Sequence, residues 1–207
     1  MRLPSLLLAL TLWLTSAAQL TPAGAFASAP SSVIPLLDRN TRLDMIDYFT
    51  HSIPTASANR LDGQSIITEM TPTSVTVKLT ESSSMQIALL PVKSDTILAV
   101  INTVATPGLD SGLSFYTRSW EPLPVVKYFI APTWSDWVVK GHNINAVTES
   151  APFMLTSYYI NPADNILTVT NNLSFFLDKD TYERIAPDLY PTLSYRWDGK
   201  KFVKERT

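Results

Sequence analysis

The chain has 207 residues, no cysteine and a formal net charge of −2, with 45% hydrophobic and 16% charged residues. This length allows a self-sufficient core, and the apolar content excludes a wholly disordered protein. The lack of cysteine excludes a disulfide scaffold, a zinc finger, a thiol enzyme and a lipid anchor on an N-terminal cysteine. The mild acidity argues against a nucleic-acid-binding protein that depends on counterion release.

The first 18 residues have the three-part layout of a secretory signal peptide. Arg2 supplies the positive charge, an apolar run follows over residues 3–14, and small residues come at Ser16 and Ala18. The apolar run is shorter than the ~20 residues of a membrane-spanning helix. We therefore expect cleavage after Ala18 or, alternatively, after Ala27, with an uncleaved amphipathic anchor as the other hypothesis. The mature chain is expected to be periplasmic, outer-membrane associated or extracellular, not lipidated and without a transmembrane span.

Two segments follow the predicted signal peptide. Residues 19–32 are rich in Ala, Ser, Thr and Pro without periodicity, which predicts a flexible leader. Residues 33–207 show no clear linker or charge run and are predicted to form a single globular domain.

The domain is predicted to open with a helix over residues 41–52. Thr41-Arg42-Leu43-Asp44 matches a capping box, and apolar residues recur at spacing three at Leu43, Ile46 and Phe49. Pro54 prevents the helix from continuing. We expect the apolar stripe to pack on the protein's own sheet.

From residue 65 the apolar period changes to two, which is typical of half-buried strands. Residues 74–91 predict a hairpin, residues 97–104 a central strand covered on both faces, and a further strand begins at Leu113. The regular spacing of these strands predicts an antiparallel meander.

The second half of the chain is less regular. In the stretch 120–150, residues 125–130 and 137–139 could each form a strand between prolines. Residues 153–160 and 166–170 predict another hairpin, and a capping signature at Asp180-Thr181-Tyr182-Glu183 predicts a short helix. Residues 193–203 predict a final hairpin on Asp198-Gly199, a pair that suits a type I′ turn. The predicted fold is α+β: mostly antiparallel sheet, with the N-terminal amphipathic helix and the short later helix packed on it.

Catalytic residues are hard to select from this sequence. His51 follows Asp47 by four residues on one helix face, so this pair is the candidate for catalysis; the alternative is a cation placed at a helix C-terminus. No nucleophile-elbow motif accompanies His51 or His142. The acidic residues show no spacing that selects a glycosidase pair. No metal-ligand cluster and no glycine-rich phosphate loop is recognisable, so no metal or cofactor is expected.

Aromatic residues in the central part of the chain are the first candidate for binding. Exposed Trp and Tyr faces can hold sugars or peptides, whereas β-proteins also bury such residues as cross-strand pairs. Both alternatives apply to Trp120, Trp134, Trp137, Tyr158 and Tyr159.

A basic patch on the last hairpin is the second candidate. It could contact an acidic partner or an anionic lipid headgroup, or its lysines could prevent an edge strand from pairing with other chains. The patch consists of Arg196, Lys200, Lys201, Lys204 and Arg206.

Four segments carry a resemblance to a known family: residues 40–48, 79–91, 110–120 and 193–203. Together they resemble an uncharacterised family of exported Bacteroidales proteins, the DUF3256 family, over roughly residues 33–205. The resemblance implies the cell envelope of a Gram-negative bacterium and implies no reaction, because its motifs are a capped helix, turns and a hairpin.

These observations favour a non-enzymatic periplasmic or surface module that binds or assembles with an envelope protein or a glycan. One alternative is a secreted hydrolase based on carboxylates or on His51. Another is a secreted protein inhibitor, which needs a rigid exposed loop, expected within residues 105–112 or 140–150.

Overall fold

The computed structural model describes residues 19–93, 95–105 and 107–205. The predicted signal peptide and Arg206 lie outside these residues. Within them the chain forms two antiparallel sheets and six α-helices, so the α+β prediction is confirmed.

The larger sheet is a seven-stranded meander in which the strands follow sequence order. Its strands are β1 (Ser57–Ala58), β2 (Gln64–Met70), β3 (Ser74–Thr80), β4 (Ser83–Val92), β5 (Asp95–Ala105), β6 (Leu109–Thr117) and β7 (Pro122–Leu123). The smaller sheet has the strand order β11-β10-β9-β8. Its strands are β8 (Thr156–Ile160), β9 (Ile166–Asn171), β10 (Thr192–Trp197) and β11 (Phe202–Lys204).

The helices lie before and between the sheets in sequence. They are α1 (Pro22–Ser28), α2 (Arg39–Thr50), α3 (Val125–Tyr128), α4 (Trp134–Trp137), α5 (Ile144–Ser150) and α6 (Lys179–Ile185), with 3₁₀ turns at Leu173–Phe175 and Ala186–Asp188. The stretch 120–150 thus contains three short helices, and the strands predicted over 125–130 and 137–139 are wrong. Short apolar runs do not distinguish the two structures, because neither period has room to repeat.

The central strands of the larger sheet are buried on both faces, as the continuous apolar pattern of residues 97–104 predicts. Leu98 and Val100 point into one cluster with α1 and α2, whereas Ala99 and Ile101 point into a second cluster with the smaller sheet. Successive side chains of a strand face opposite sides, so β4 and β5 divide the protein into three layers. The helix pair forms the first layer, the larger sheet the second, and the smaller sheet with the later helices the third.

The two sheets are joined through the edge of β8. The side-chain amide of Gln86, a buried residue of β4, donates to the carbonyl oxygen of Ile160 at 2.8 Å and accepts from the Ile160 N–H at 2.9 Å. The N–H of Tyr158 donates to Ser111 Oγ at 3.0 Å, and the N–H of Thr156 donates to Asp110 Oδ1 at 3.4 Å. The outward N–H groups of Thr156, Tyr158 and Ile160 are therefore satisfied by side chains of the larger sheet.

Residues 19–32 are not the flexible leader that their composition predicts. Pro22–Ser28 form α1, which packs against α2, β3 and β4, and the side chain of Phe26 is completely buried. Thr21 caps the helix by accepting from the Gly24 N–H at 3.0 Å. The Thr-Pro pair at 21–22 is the signal that could have predicted it, because proline is favoured in the first turn after a capping residue.

Both predicted helix starts are displaced, although both helices exist. Asp38 caps α2 and Asp178 caps α6, each by accepting from an N–H three residues later, so Thr41 and Asp180 lie inside their helices. The face of α2 also differs: Leu43 is exposed, whereas Arg42 and Met45 are the buried residues of this helix.

The last hairpin is present, but its turn differs from the predicted type I′ geometry. Trp197 pairs with Phe202 across a four-residue connection, and only Gly199 in it has a positive φ, of 87°. Asp198 holds this turn by accepting from the N–H groups of Lys200 and Lys201 at 2.7 and 2.8 Å.

Candidate functional site

The predicted His51–Asp47 pair forms at the end of α2. His51 Nδ1 lies 3.1 Å from Asp47 Oδ1, and both side chains are 64% exposed. The same nitrogen lies 3.0 Å from the Asp47 carbonyl oxygen, which places the imidazole at the C-terminal cap of the helix. A cation is favoured at this position by the helix dipole. The pair thus has a structural explanation, and its catalytic role stays a prediction.

An apolar groove of about 320 Å³ lies next to this helix end, between α2 and β2. Its walls come mainly from Met45, Phe49, Ile53, Pro54 and Ile67. Ser52, the neighbour of His51, is part of the lining, but the imidazole is not. The groove therefore presents chiefly hydrocarbon to a ligand.

A second histidine–carboxylate pair was not predicted. His142 Nδ1 lies 2.5 Å from Asp188 Oδ1, and the two side chains are 41% and 28% exposed. The N–H of Val139 bonds to the Asp188 carbonyl oxygen at 2.8 Å, so the partners are brought together by backbone contacts between segments about 46 residues apart. No local spacing in the sequence could have indicated this pair.

Several acidic side chains have structural partners, and Asp178 and Asp136 are two examples. Hydrogen bonds from the Thr181 backbone and hydroxyl lower the pKa of Asp178, the cap of α6. Burial raises the pKa of Asp136, but hydrogen bonds from Thr133 and Lys204 outweigh burial and leave that pKa below its usual range. Within residues 19–93, 95–105 and 107–205, no group of three or more His, Asp or Glu side chains could hold a metal ion.

The five aromatic candidates do not form one surface. Trp120 belongs to the cluster beneath α1 and α2, where its indole N–H lies 3.3 Å from Ser28 Oγ. Trp137 is buried, and Trp134 and Tyr158 are partly buried, in the cluster on the other side of the larger sheet. Tyr159 is 43% exposed, with its hydroxyl 3.4 Å from Glu69 Oε2.

The basic hairpin is only partly neutralised by its neighbours. Arg196 forms two contacts with Glu205 Oε1, from Nε at 2.9 Å and from Nη2 at 2.8 Å. Lys204 Nζ lies 3.0 Å from Asp136 Oδ1. Lys200 and Lys201 are exposed beside the turn. Backbone hydrogen bonds from these two residues are the main cause that lowers the pKa of Asp198, and their charges lower it further.

A groove of about 310 Å³ separates this hairpin from α3. One wall is residues 126–130 and the other is residues 201–204; we call it the β11 groove. Val126 and Ile130 on the first wall are 78% and 73% exposed, and Val203 on the second is 42% exposed. They are the most exposed large apolar side chains on their respective walls. Composition alone did not indicate this surface, because it joins two segments that are more than 70 residues apart.

The first wall of the groove is anchored by side chains that pack into the core. Tyr128 and Phe129 are buried, and the Phe129 ring packs edge-on against Tyr195 at 5.2 Å and against Phe202 at 6.3 Å between centroids. The segment thus exposes Val126 and Ile130, while Tyr128 and Phe129 anchor it to the core.

Another exposed apolar group lies on the third layer. The rings of Phe153 and Phe176 are 4.5 Å apart, and Phe175 beside them is 66% exposed.

The loops expected to carry an inhibitor are short. β5 ends at Ala105 and β6 begins at Leu109, so strands occupy most of the stretch 105–112. In the other stretch, α5 occupies residues 144–150. Among the residues that the structure describes, no helix is long and apolar enough to cross a membrane.

Comparison with other proteins gives a family and a fold. The sequence profile of a family described as "Protein of unknown function (DUF3256)" matches residues 15–202. A solved structure, described as a domain of an uncharacterized protein from Porphyromonas gingivalis W83, superposes with a TM-score of 0.75 at 20% identity, covering 87% of this chain and 97% of that chain. None of the curated proteins compared matches the chain. At this identity the superposition shows a shared fold.

Proposed function

The chain belongs to the DUF3256 family of proteins of unknown function, and we propose that it is an exported cell-envelope protein that acts by binding a partner protein rather than by catalysis. The family resemblance of the four segments is confirmed by the profile match. The proposal of binding is carried by one observation: Val126 and Ile130, the two most exposed large apolar side chains of the described residues, flank the same groove.

Exposed valine and isoleucine at these positions contribute little to folding. Most of each side chain contacts solvent, so a polar residue there would leave the core unchanged. The neighbouring Tyr128 and Phe129 already supply the buried contacts that fix the segment. Contiguous exposed apolar side chains on a rigid support are typical of protein-binding surfaces.

The position of α1 supports one of the two signal-cleavage sites. Cleavage after Ala18 would leave α1 and its buried Phe26 in the mature chain. Cleavage after Ala27 would remove Phe26, and loss of a buried phenylalanine side chain typically costs about 3–5 kcal/mol. It would also remove a carbonyl oxygen that accepts from Arg42 at 2.9 Å. We therefore favour Ala18, and N-terminal sequencing of the chain purified from an envelope fraction tests both export and this site. A new N-terminus at Gln19 is expected, and one at Ser28 would refute the structural reasoning.

The binding function is testable by photo-crosslinking in cells that produce the protein. A photoreactive phenylalanine analogue at Val126 is expected to give a discrete, protease-sensitive adduct with a partner protein. The matched control carries the same analogue at Leu61, which is also highly exposed, at 67%, but is absent from the β11 groove. The same pattern from both positions, or no adduct from Val126, would contradict the proposal. A protease-resistant adduct would indicate a glycan instead and would refute a protein partner.

A further inference from the structure

The two edges of the smaller sheet differ in how their backbone groups are satisfied. The edge at β8 is closed by side chains of Gln86, Ser111 and Asp110, as described above. The other edge is β11, which borders the β11 groove. Within the described residues, no backbone hydrogen bond joins β11 to the wall at residues 126–130.

The register identifies the backbone groups that face the groove. The N–H of Glu205 donates to the Ser194 carbonyl, and the N–H of Asp198 donates to the Lys201 carbonyl. Hydrogen-bonded pairs alternate along an antiparallel ladder, so Val203 exchanges its bonds with Arg196. The N–H and C=O groups of Phe202 and Lys204 consequently point away from β10, at the sheet edge that borders the groove.

The charges around the groove favour an acidic occupant. Lys127, Lys201 and Lys204 line it, and among these only Lys204 has a carboxylate within ion-pair distance in the described part of the chain, namely Asp136. The ammonium group of Lys127 lies 5.3 Å from the centroid of the Tyr128 ring. The chain as a whole carries a net charge of −2, so the charge of this surface is opposite in sign to the net charge of the protein.

We propose that the β11 groove binds an extended acidic segment of a partner protein, which adds a fifth strand to the smaller sheet beside β11. This proposal rests on the binding function proposed above and specifies its ligand class. Backbone pairing with Phe202 and Lys204 would supply affinity. Apolar side chains of the segment would contact Val126 and Ile130, while its carboxylates would contact Lys127 and Lys201. Lysines on an edge strand oppose pairing with neutral or basic strands, so they select an acidic one.

The probe is a fluorescently labelled hexapeptide that alternates valine and glutamate, titrated into the mature chain. We expect saturable binding that weakens as salt concentration rises. The Lys127→Glu and Lys201→Glu variants should each weaken binding by at least about fivefold, whereas Lys179→Glu on α6 should change it by less than about twofold. A peptide with lysine in place of glutamate should not bind. Equal binding of the two peptides would overturn the proposal.

Strand addition makes a separate prediction about one backbone donor. Lys204→Pro removes the outward N–H but no bond to β10, and proline is tolerated on an edge strand at such a position. The matched variant Lys204→Ala removes the same ion pair with Asp136 and keeps the N–H. Binding should be lost in the proline variant and retained in the alanine variant. Hydrogen exchange of the Phe202 amide should slow when peptide is added to the wild-type chain.

The two proposals fail in different ways. Absence of peptide binding together with a protein adduct at position 126 would reject the acidic strand and leave the binding function intact. Absence of both would reject both. Equal affinity of the Lys204→Pro and Lys204→Ala variants would reject strand addition.

Discussion

Replacement of Arg42 by methionine should test how α1 is attached to the rest of the protein. Arg42 lies on α2 and is 4% exposed. Its Nη1 donates to the carbonyl oxygens of Phe26 at 2.9 Å and Ala29 at 2.6 Å. Carbonyl groups at the end of a helix lack partners within the helix, so this guanidinium closes the C-terminal end of α1. Burial is the main cause that lowers the pKa of Arg42, which reflects the cost of removing the cation from water.

The expected loss follows from these contacts. Each buried carbonyl left without a donor costs about 1–3 kcal/mol, or about 2–6 kcal/mol for both. Methionine retains much of the apolar stem and removes the desolvation cost of the cation, so the net loss should lie in the lower part of this range. We expect the free energy of unfolding to fall by about 2–4 kcal/mol.

The assay is urea unfolding of a chain that begins at Gln19, monitored by circular dichroism. Arg39→Met is the matched control, because Arg39 is an exposed residue one turn earlier on the same helix. It should change the free energy of unfolding by less than about 0.5 kcal/mol. Similar losses in both variants, or a loss below about 1 kcal/mol for Arg42→Met, would refute the attachment of α1 through this side chain.

Three further predictions concern the core and the helix caps. Gln86→Leu should lower the free energy of unfolding by about 2–4 kcal/mol, because the N–H and C=O groups of Ile160 both lose their partner. Urea unfolding measures this loss, with the exposed residue Gln64 replaced by leucine as the control. Equal losses in the two variants would contradict the prediction. Trp197→Phe should cost about 1–3 kcal/mol in the same assay, because the indole N–H donates to a carbonyl oxygen at 2.8 Å, and an unchanged midpoint would contradict the contact. The pKa of Asp38 is lowered chiefly by a backbone hydrogen bond at the cap of α2. The ionised Asp38 carboxylate should therefore stabilise the fold above about pH 4, and this stabilisation should be lost as the pH falls through the lower folded-state pKa. Asp38→Asn should therefore flatten the acid side of the stability–pH profile, and an unaltered profile would count against the cap.

The strands of the larger sheet could be predicted because each one repeats its apolar period several times between clear turns. Residues 74–91 and 97–104 correspond closely to β3, β4 and β5. The helix capped at Asp38 was displaced by three residues in the prediction, because Thr41 and Asp44 offer equivalent capping chemistry from local sequence alone. Only the packing of α1 against this helix shows that Arg42, rather than Leu43, is buried.

The sequence predicted some features of the candidate site but not how they combine. The basic residues of the last hairpin were recognised, and so was the His51–Asp47 pair, because both depend on spacing within one element. The exposed Val126 and Ile130 were assigned to a strand, and the His142–Asp188 pair was not predicted, because these features depend on neighbours distant in the chain.

Periodicity and turn residues by themselves determined that this protein is α+β, that its strands form an antiparallel meander followed by hairpins, and that its last hairpin is basic. These properties arise from interactions between residues close in sequence. The tertiary structure decided that residues 22–28 belong to the core, that one edge of the smaller sheet is closed by Gln86 while the other is open, and that the open edge lies beside exposed apolar side chains. Burial and the satisfaction of backbone groups depend on contacts between segments that are distant in the chain. The local sequence of each segment does not specify those contacts.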